Sequence, residues 1–284
     1  MSGGNEVQSY VLEASLAEHQ RLISSARRTG LHVREMCARA GVGMGARVID
    51  IGCGPVGALL ELAELTGPEG TVVGLDSSTE AVETARAIVS TRGLSNVSVM
   101  HGDIHAADPK TIASDGLFDA AHVRLMLAHQ TDSVGTLQRV MALLRPGGRM
   151  LLFEAVEDPR YPTFDPPVPA CQTARELVFA AMRHHGAGVD SARRLPRLCE
   201  EAGLRVLDAR GGFSLTTPAS ELVEITRLLL LSARKAIVAF ELATDAVVDA
   251  LAEALAAAQG GEFRSVLGWL FVQVIAQAPE PQRE

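Results

Sequence analysis

The chain has 284 residues, 47% of them hydrophobic, which is enough for one large domain, or a domain with a cap, around a sizeable core. Asp plus Glu (34) outnumber Lys plus Arg (26), giving a formal net charge of −8. No basic stripe interrupts that balance, so nucleic acid, which is held through its phosphates by lysine and arginine, is excluded as a partner.

From the start, Val11, Leu12, Leu16, Leu22, Ile23 and Ala26 recur at helical spacing, and Gly30 reads as a stop. A second short helix, Leu31 to Ala40, ends at Gly41. Arg47 to Ile51 is a compact strand, broken by Gly52-Cys53-Gly54-Pro55-Val56-Gly57 before a helix that runs to about Leu65. Thr71 to Leu75 is the next strand, and Thr79 to Arg92 a helix closed by Gly93. Strands at Val97 to Met100, Phe118 to Val123 and Arg149 to Ala155 follow, with the helix Ser133 to Leu144 between the last two. Short strands, apolar on both faces and separated by helices, describe an α/β fold: a doubly wound, mainly parallel sheet with helices on both faces.

The second half differs. Five prolines from Pro159 to Pro169 read as a linker, ahead of the helices Gln172 to His184 and Asp190 to Ala202. Leu204 to Ala209 returns to strand character, Pro218 to Gln259 is mostly helical, and Ser265 to Ala276 is a last strand. Helices inserted at the carboxyl ends of such a sheet sit over its ligand cleft as a lid. The cysteines Cys37, Cys53, Cys171 and Cys199 lie far apart without a CxxC pair, so reduced, buried thiols in a cytoplasmic protein are expected. The first residues lack the basic patch and apolar run of a secretory signal. The most apolar helical stretch, Leu228 to Leu231, reaches Arg234 and Lys235 too soon to span a bilayer.

A strand, then Gly52-x-Gly54-x-x-Gly57, then a helix builds a ligand cradle: glycine permits the tight turn and close approach, and the helix start offers N–H groups. With Asp76 after the second strand, the spacing is also that of a dinucleotide site, so an NAD-dependent oxidoreductase is the alternative. Asp50, two residues before the loop, sits poorly beside a pyrophosphate and suits a ligand carrying positive charge. Asp103 places another acid at the cleft edge, fit to accept from an amino group. No later segment offers a nicotinamide domain.

Val48-Ile49-Asp50-Ile51-Gly52-Cys53-Gly54, the acid Asp76, Gly102-Asp103 and Leu144-Arg145-Pro146-Gly147-Gly148 resemble the S-adenosylmethionine-dependent methyltransferases of the Rossmann-like class, over roughly residues 40 to 160. The chain departs from the family pattern at Val56, with Gly57 one position late. The resemblance implies that Gly52, Cys53 and Gly54 line the methionine part of the cofactor, with Asp50 holding the loop. It further implies that Asp76 accepts the ribose hydroxyls with Ser77 beside it, that Asp103 and Ile104 meet the adenine, and that Val123 approaches through its backbone. The element pattern divides the chain into an N-terminal helical segment (1–40), a cofactor-binding core (41–156), lid insertions (157–190 and 214–262) and completion of the sheet (191–213 and 263–278).

In such enzymes the protein aligns the nucleophile and excludes water, and a histidine can take a proton. The candidates are His122, Arg124 and His129 after the fourth strand, with Arg124 fixing an acidic group because arginine does not give up its proton. Tyr10 and His184 are candidate lid or substrate residues, and adjacent His184-His185 point in different directions and form no metal site. The expected reaction is O-methylation of a small molecule, a secondary metabolite among them, with S-adenosylhomocysteine as product. A non-methylating S-adenosylmethionine-binding protein is a further alternative, and a homo-oligomer could form through the N-terminal helix.

Overall fold

The structure, a computed structural model, describes residue 12 and residues 16–213, 218–263 and 265–280. The elements run α1 (Leu16–Ala40), β1 (Arg47–Ile51), α2 (Leu59–Thr66), β2 (Thr71–Asp76), α3 (Thr79–Thr91), β3 (Val97–His101), α4 (Pro109–Ile112) and β4 (Phe118–Arg124). After α5 (Ser133–Met141) come β5 (Leu144–Ala155), β6 (Thr163–Asp165), α6 (Pro169–His184), α7 (Ser191–Glu201) and β7 (Arg205–Phe213). The chain ends with α8 (Ala219–Ser232), α9 (Arg234–Ala239), α10 (Asp245–Ala258), β8 (Ser265–Leu267) and β9 (Leu270–Gln277).

Seven strands form one sheet in the order β3-β2-β1-β4-β5-β9-β7. The first five are parallel, and β9 enters antiparallel between β5 and β7. This is the expected α/β architecture. Alternate residues feed opposite faces: Ile49, Val73, Ala121 and Leu152 pack toward α5 and α7, whereas Val48, Val72, Ala120 and Leu151 pack toward α1 and α2. Local chemistry sets the helix starts. The side chains of Ser78, Asp108, Asp132 and Thr244 each accept a hydrogen bond from a backbone N–H of the helix that follows, and prolines stand in the first turns of α4 and α6.

The N-terminal helix departs from its expected form, because α1 continues through Gly30 as one helix to Ala40. A Cβ at Gly30 would stand 2.6 Å from Glu61 Oε1 of α2, so this glycine serves the close crossing of two helices and ends neither. The proline-rich stretch is likewise structured. It holds β6, which pairs with β8, and Phe164 there packs on Phe263 at 5.4 Å between ring centroids. The expected last strand is two, β8 in this ribbon and β9 in the main sheet.

A separate apolar core joins α6, α8, α9 and α10, with Val178, Leu222, Leu230, Ile237 and Val248 all buried. Thr226 and Ser232 inside it satisfy their hydroxyls on the carbonyls of Leu222 (2.9 Å) and Leu228 (2.8 Å). The four cysteines are free and buried. Among the described residues no helix is long and apolar enough to cross a membrane.

Candidate active site

The carboxyl ends of β1 to β4 open into a cavity of about 560 Å³, walled on the other side by α1, α6 and α8. Gly52 and Gly54 turn the loop with φ of 67° and 57°, a region open to glycine at little cost. Their amides are already engaged: Gly52 N and Cys53 N donate to Leu75 O (2.8 and 3.1 Å), and Gly54 N to Asp76 Oδ2 (2.7 Å). Asp50 Oδ2 accepts Ala58 N at 2.8 Å, so a carboxylate already occupies the start of α2. The amides of Ala58 and Leu59 at this helix start are thus taken within the protein, and the Asp50 carboxylate beside them makes the loop ill suited to a pyrophosphate. The late glycine finds its reason here too, since a Cβ on Gly57 would stand 2.3 Å from Asp50 Oδ2.

Around this loop Asp76, Ser77, Asp103 and Ile104 line the cavity. Asp76 Oδ1 also accepts Ser78 N (2.8 Å), which aims the carboxylate, and burial pushes its pKa up. Asp103 Oδ1 accepts His105 N at 2.9 Å. Cys53 lines the cavity while its sulfur packs under the loop, where a Cβ on Gly74 would come within 2.9 Å of it. Burial raises the pKa of this thiol and keeps it protonated.

Three residues expected at the site do not line the cavity. Asp50 and His122 lie buried in the sheet beneath the loop, joined Nδ1 to Oδ1 at 2.8 Å, and Val123 is fully buried in the core. His184 is exposed at the end of α6 against Phe240, at 5.5 Å between rings, and is not a lining residue either. Tyr10 lies outside the described residues.

Arg124 and His129 do face the cavity. Arg124 Nη1 donates to Thr29 Oγ1 at 2.9 Å, which anchors it to α1, and burial lowers its pKa. The turn after it is held from below. Leu125 takes φ of 53°, and Glu154 Oε1 accepts the amides of Met126 (2.9 Å) and Leu127 (2.8 Å). Glu154 is fully buried, and burial raises its pKa to about 8. His129 is pushed down to about 4, by burial first and by Arg21 second, so its imidazole is neutral at neutral pH.

Sequence reasoning missed the far wall. Glu18, Arg21, Ser25 and Arg28 recur at spacings of three and four along α1, and Arg175, Phe179 and Met182 do the same on α6; all line the cavity. That spacing was visible, but it is shared by any solvated helix face. Here Glu18 and Ser25 are only 2% and 4% exposed.

Fold and site together define a Rossmann-like α/β protein with a cavity at the carboxyl ends of its parallel strands. A family model described as a methyltransferase domain matches residues 43–203, and the chain belongs to that family. It is 33% identical over 190 residues to nocamycin O-methyltransferase of Saccharothrix syringae, covering 65% of this chain and 61% of that one. Over 146 residues it is 31% identical to a demethylmenaquinone methyltransferase of Geobacillus kaustophilus, covering 51% of this chain and 61% of the relative. An uncharacterized 37.1 kDa protein in transposon TN4556 of Streptomyces fradiae is 36% identical over 164 residues, 57% of this chain and 44% of that one. The chain thus spans between 44% and 61% of the length of these curated relatives. Coclaurine N-methyltransferase bound to N-methylheliamine and SAH shares the fold (TM-score 0.54, 16% identity, 87% of this chain and 72% of that one). So does the [4+2]-cyclase SpnF (TM-score 0.53, 18% identity, 88% and 82%).

Proposed function

We propose that this chain transfers a methyl group from S-adenosylmethionine to a small-molecule acceptor of secondary metabolism, with oxygen favoured as the acceptor atom. The observation that carries this reading is the continuity of a single cavity from the Gly52–Gly54 loop and Asp76 to Arg124, Met126 and His129. The residues fit the cofactor: a Cβ on Gly54 would meet only Leu22 Cδ1, at 3.8 Å, so the glycine leaves the cavity open beside an aimed carboxylate. In this reading Gly52, Cys53 and Gly54 line its methionine part, Asp76 accepts the ribose hydroxyls beside Ser77, and Asp103 and Ile104 meet the adenine. When bound, the cofactor supplies a methyl group activated by the positive charge on its sulfur.

The chain's own task is then alignment and exclusion of water. Met126, Phe179, Ile225 and Leu229 give the acceptor compartment apolar walls. Neutral His129 can accept a hydrogen bond from an acceptor O–H, and cationic Arg124 positions without exchanging its proton. Support for a small-molecule acceptor comes from the size and apolar walls of the cavity and from the likeness to nocamycin O-methyltransferase.

Incubation with methyl-labelled S-adenosylmethionine and a metabolite extract is the direct test. Label transfer is expected, and cofactor binding without transfer across broad extracts would overturn the reading. Asp76→Ala is expected to weaken S-adenosylmethionine binding by about 1.5–3 kcal/mol, the worth of a hydrogen bond to a charged group. Calorimetry showing unchanged affinity, or tight NADH binding by the unmodified protein, would sink the assignment.

A further inference from the structure

Beyond the cofactor end, the cavity closes against a cluster of Arg28, Arg175 and Trp269. Arg175 is 3% exposed, yet it lines the cavity and its Nε has no hydrogen-bond partner among the described residues. Glu157 pairs with it loosely, 3.8 Å from Nη2, within ion-pair reach and beyond hydrogen-bond distance. The buried indole Nε1 of Trp269 is likewise without an acceptor among the described residues. Both guanidiniums gather on that indole: the central carbon of Arg28 is 4.3 Å from the ring centroid and that of Arg175 is 5.8 Å away, with Arg175 also 4.7 Å from Phe179. Arg28 makes one hydrogen bond, from Nε to Ser24 O at 3.3 Å, and Glu221, the carboxylate that acts on it most strongly, is exposed and forms no ion pair with it among the described residues.

Protein interiors rarely leave such donors unsatisfied, so two of them among the described residues, on side chains that line one cavity, point to an acceptor brought there by a ligand. Charge points the same way. Among the described residues lining this side, four guanidiniums (Arg21, Arg28, Arg124, Arg175) stand against two carboxylates, Glu18, which Arg21 already holds by two hydrogen bonds, and Glu157. Asp76 and Asp103 belong to the other end, at β2 and β3, whereas Glu157 follows β5 and Trp269 precedes β9. Four strand steps separate β2 from β9, about 19 Å at the usual spacing of about 4.8 Å, so the cluster stands apart from the acids of the cofactor end.

We propose that the Arg28–Arg175–Trp269 end of the cavity binds a carboxylate carried by an otherwise apolar acceptor. A planar, delocalised anion matches the guanidinium fork, the indole N–H adds a third donor, and Phe179, Met182, Ile225 and Leu229 cover the hydrocarbon part. The carboxylate is the anchor, and the atom to be methylated lies toward Arg124 and Met126. Naming the ligand as the acceptor rests on the methyltransferase reading; the preference for an acid does not, and is measured without transfer.

Protein saturated with S-adenosylhomocysteine is titrated by calorimetry with 2-naphthoate and decanoate, and with their neutral counterparts 2-naphthamide and decanamide. The acids are expected to bind about ten- to a hundredfold more tightly than the amides, the range for hydrogen bonds to charged groups. Arg175→Gln is expected to abolish that preference and Arg28→Gln to reduce it, both with unchanged affinity for S-adenosylhomocysteine, which also reports that each variant is folded. Equal affinity for acid and amide, no binding of either acid at millimolar concentration, or a preference that survives both substitutions overturns the proposal. Should Arg175→Gln not fold, the unmodified protein and Arg28→Gln decide. Failure of the unmodified protein to bind S-adenosylhomocysteine would overturn the methyltransferase reading instead, and the comparison of acid with amide, repeated on the free protein, would still decide the carboxylate site.

Discussion

Glu154 shows how a single buried carboxyl can govern the floor of the site. Its Oε1 holds the amides of Met126 and Leu127, while its Oε2 has no partner, and burial raises its pKa from 4.5 to about 8. The folded chain thus binds this proton more tightly than the unfolded chain does. The stability so contributed is fully present below about pH 4.5 and is lost as pH rises through about 8. Glu154→Gln keeps an acceptor for the two amides and cannot ionise, so its melting temperature should fall less between pH 5 and pH 8 than that of the unmodified protein. Parallel slopes in thermal melts would show that Glu154 carries no part of the pH dependence. Gly57 makes a second case: with φ of 48° and Asp50 Oδ2 2.3 Å from where a Cβ would stand, Gly57→Ala should cost about 1–3 kcal/mol in denaturant unfolding and disturb the loop.

At the scale of elements, α1 repays the closest look. Gly30→Ala gains roughly 1 kcal/mol of helix propensity and meets only the tip of Glu61, which can swing aside, so the melting temperature should hold or rise. Gly30→Leu needs room for a whole side chain between α1 and α2 and should lower it. A fall for alanine as large as for leucine would mean the crossing is backbone-tight. This helix also marks where the sequence stopped being legible. The β1 loop, the acid ending β2 and the helix starts were readable because neighbours a few residues apart decide them. A glycine within a helical pattern could not declare itself a spacer, since Glu61 comes close only once the chain has folded. Arg175 and Trp269 carried no local signal either, because they meet only where α6 and the start of β9 converge on one cavity. The split of the last expected strand into β8 and β9 similarly depends on β6, a remote partner.

Over the whole molecule, residues far from the family match complete what the match contains. The matched stretch, 43–203, includes β1 to β5 but neither α1 nor β7 nor β9. In the structure β9 covers the outer edge of β5 from Arg149 to Ala155, and Arg39 at the end of α1 bonds to Asp208 of β7 and Gln273 of β9. A fragment restricted to 43–203 would bare that edge, an open template for pairing with another chain. It is expected to elute as aggregates on size-exclusion chromatography and to bind no S-adenosylhomocysteine; a monomeric fragment with full affinity would show that the flanks are dispensable. The Arg39 clasp therefore means that the family match and the fold draw different borders on this polypeptide: the stretch that the family model matches ends before the sheet it begins is finished.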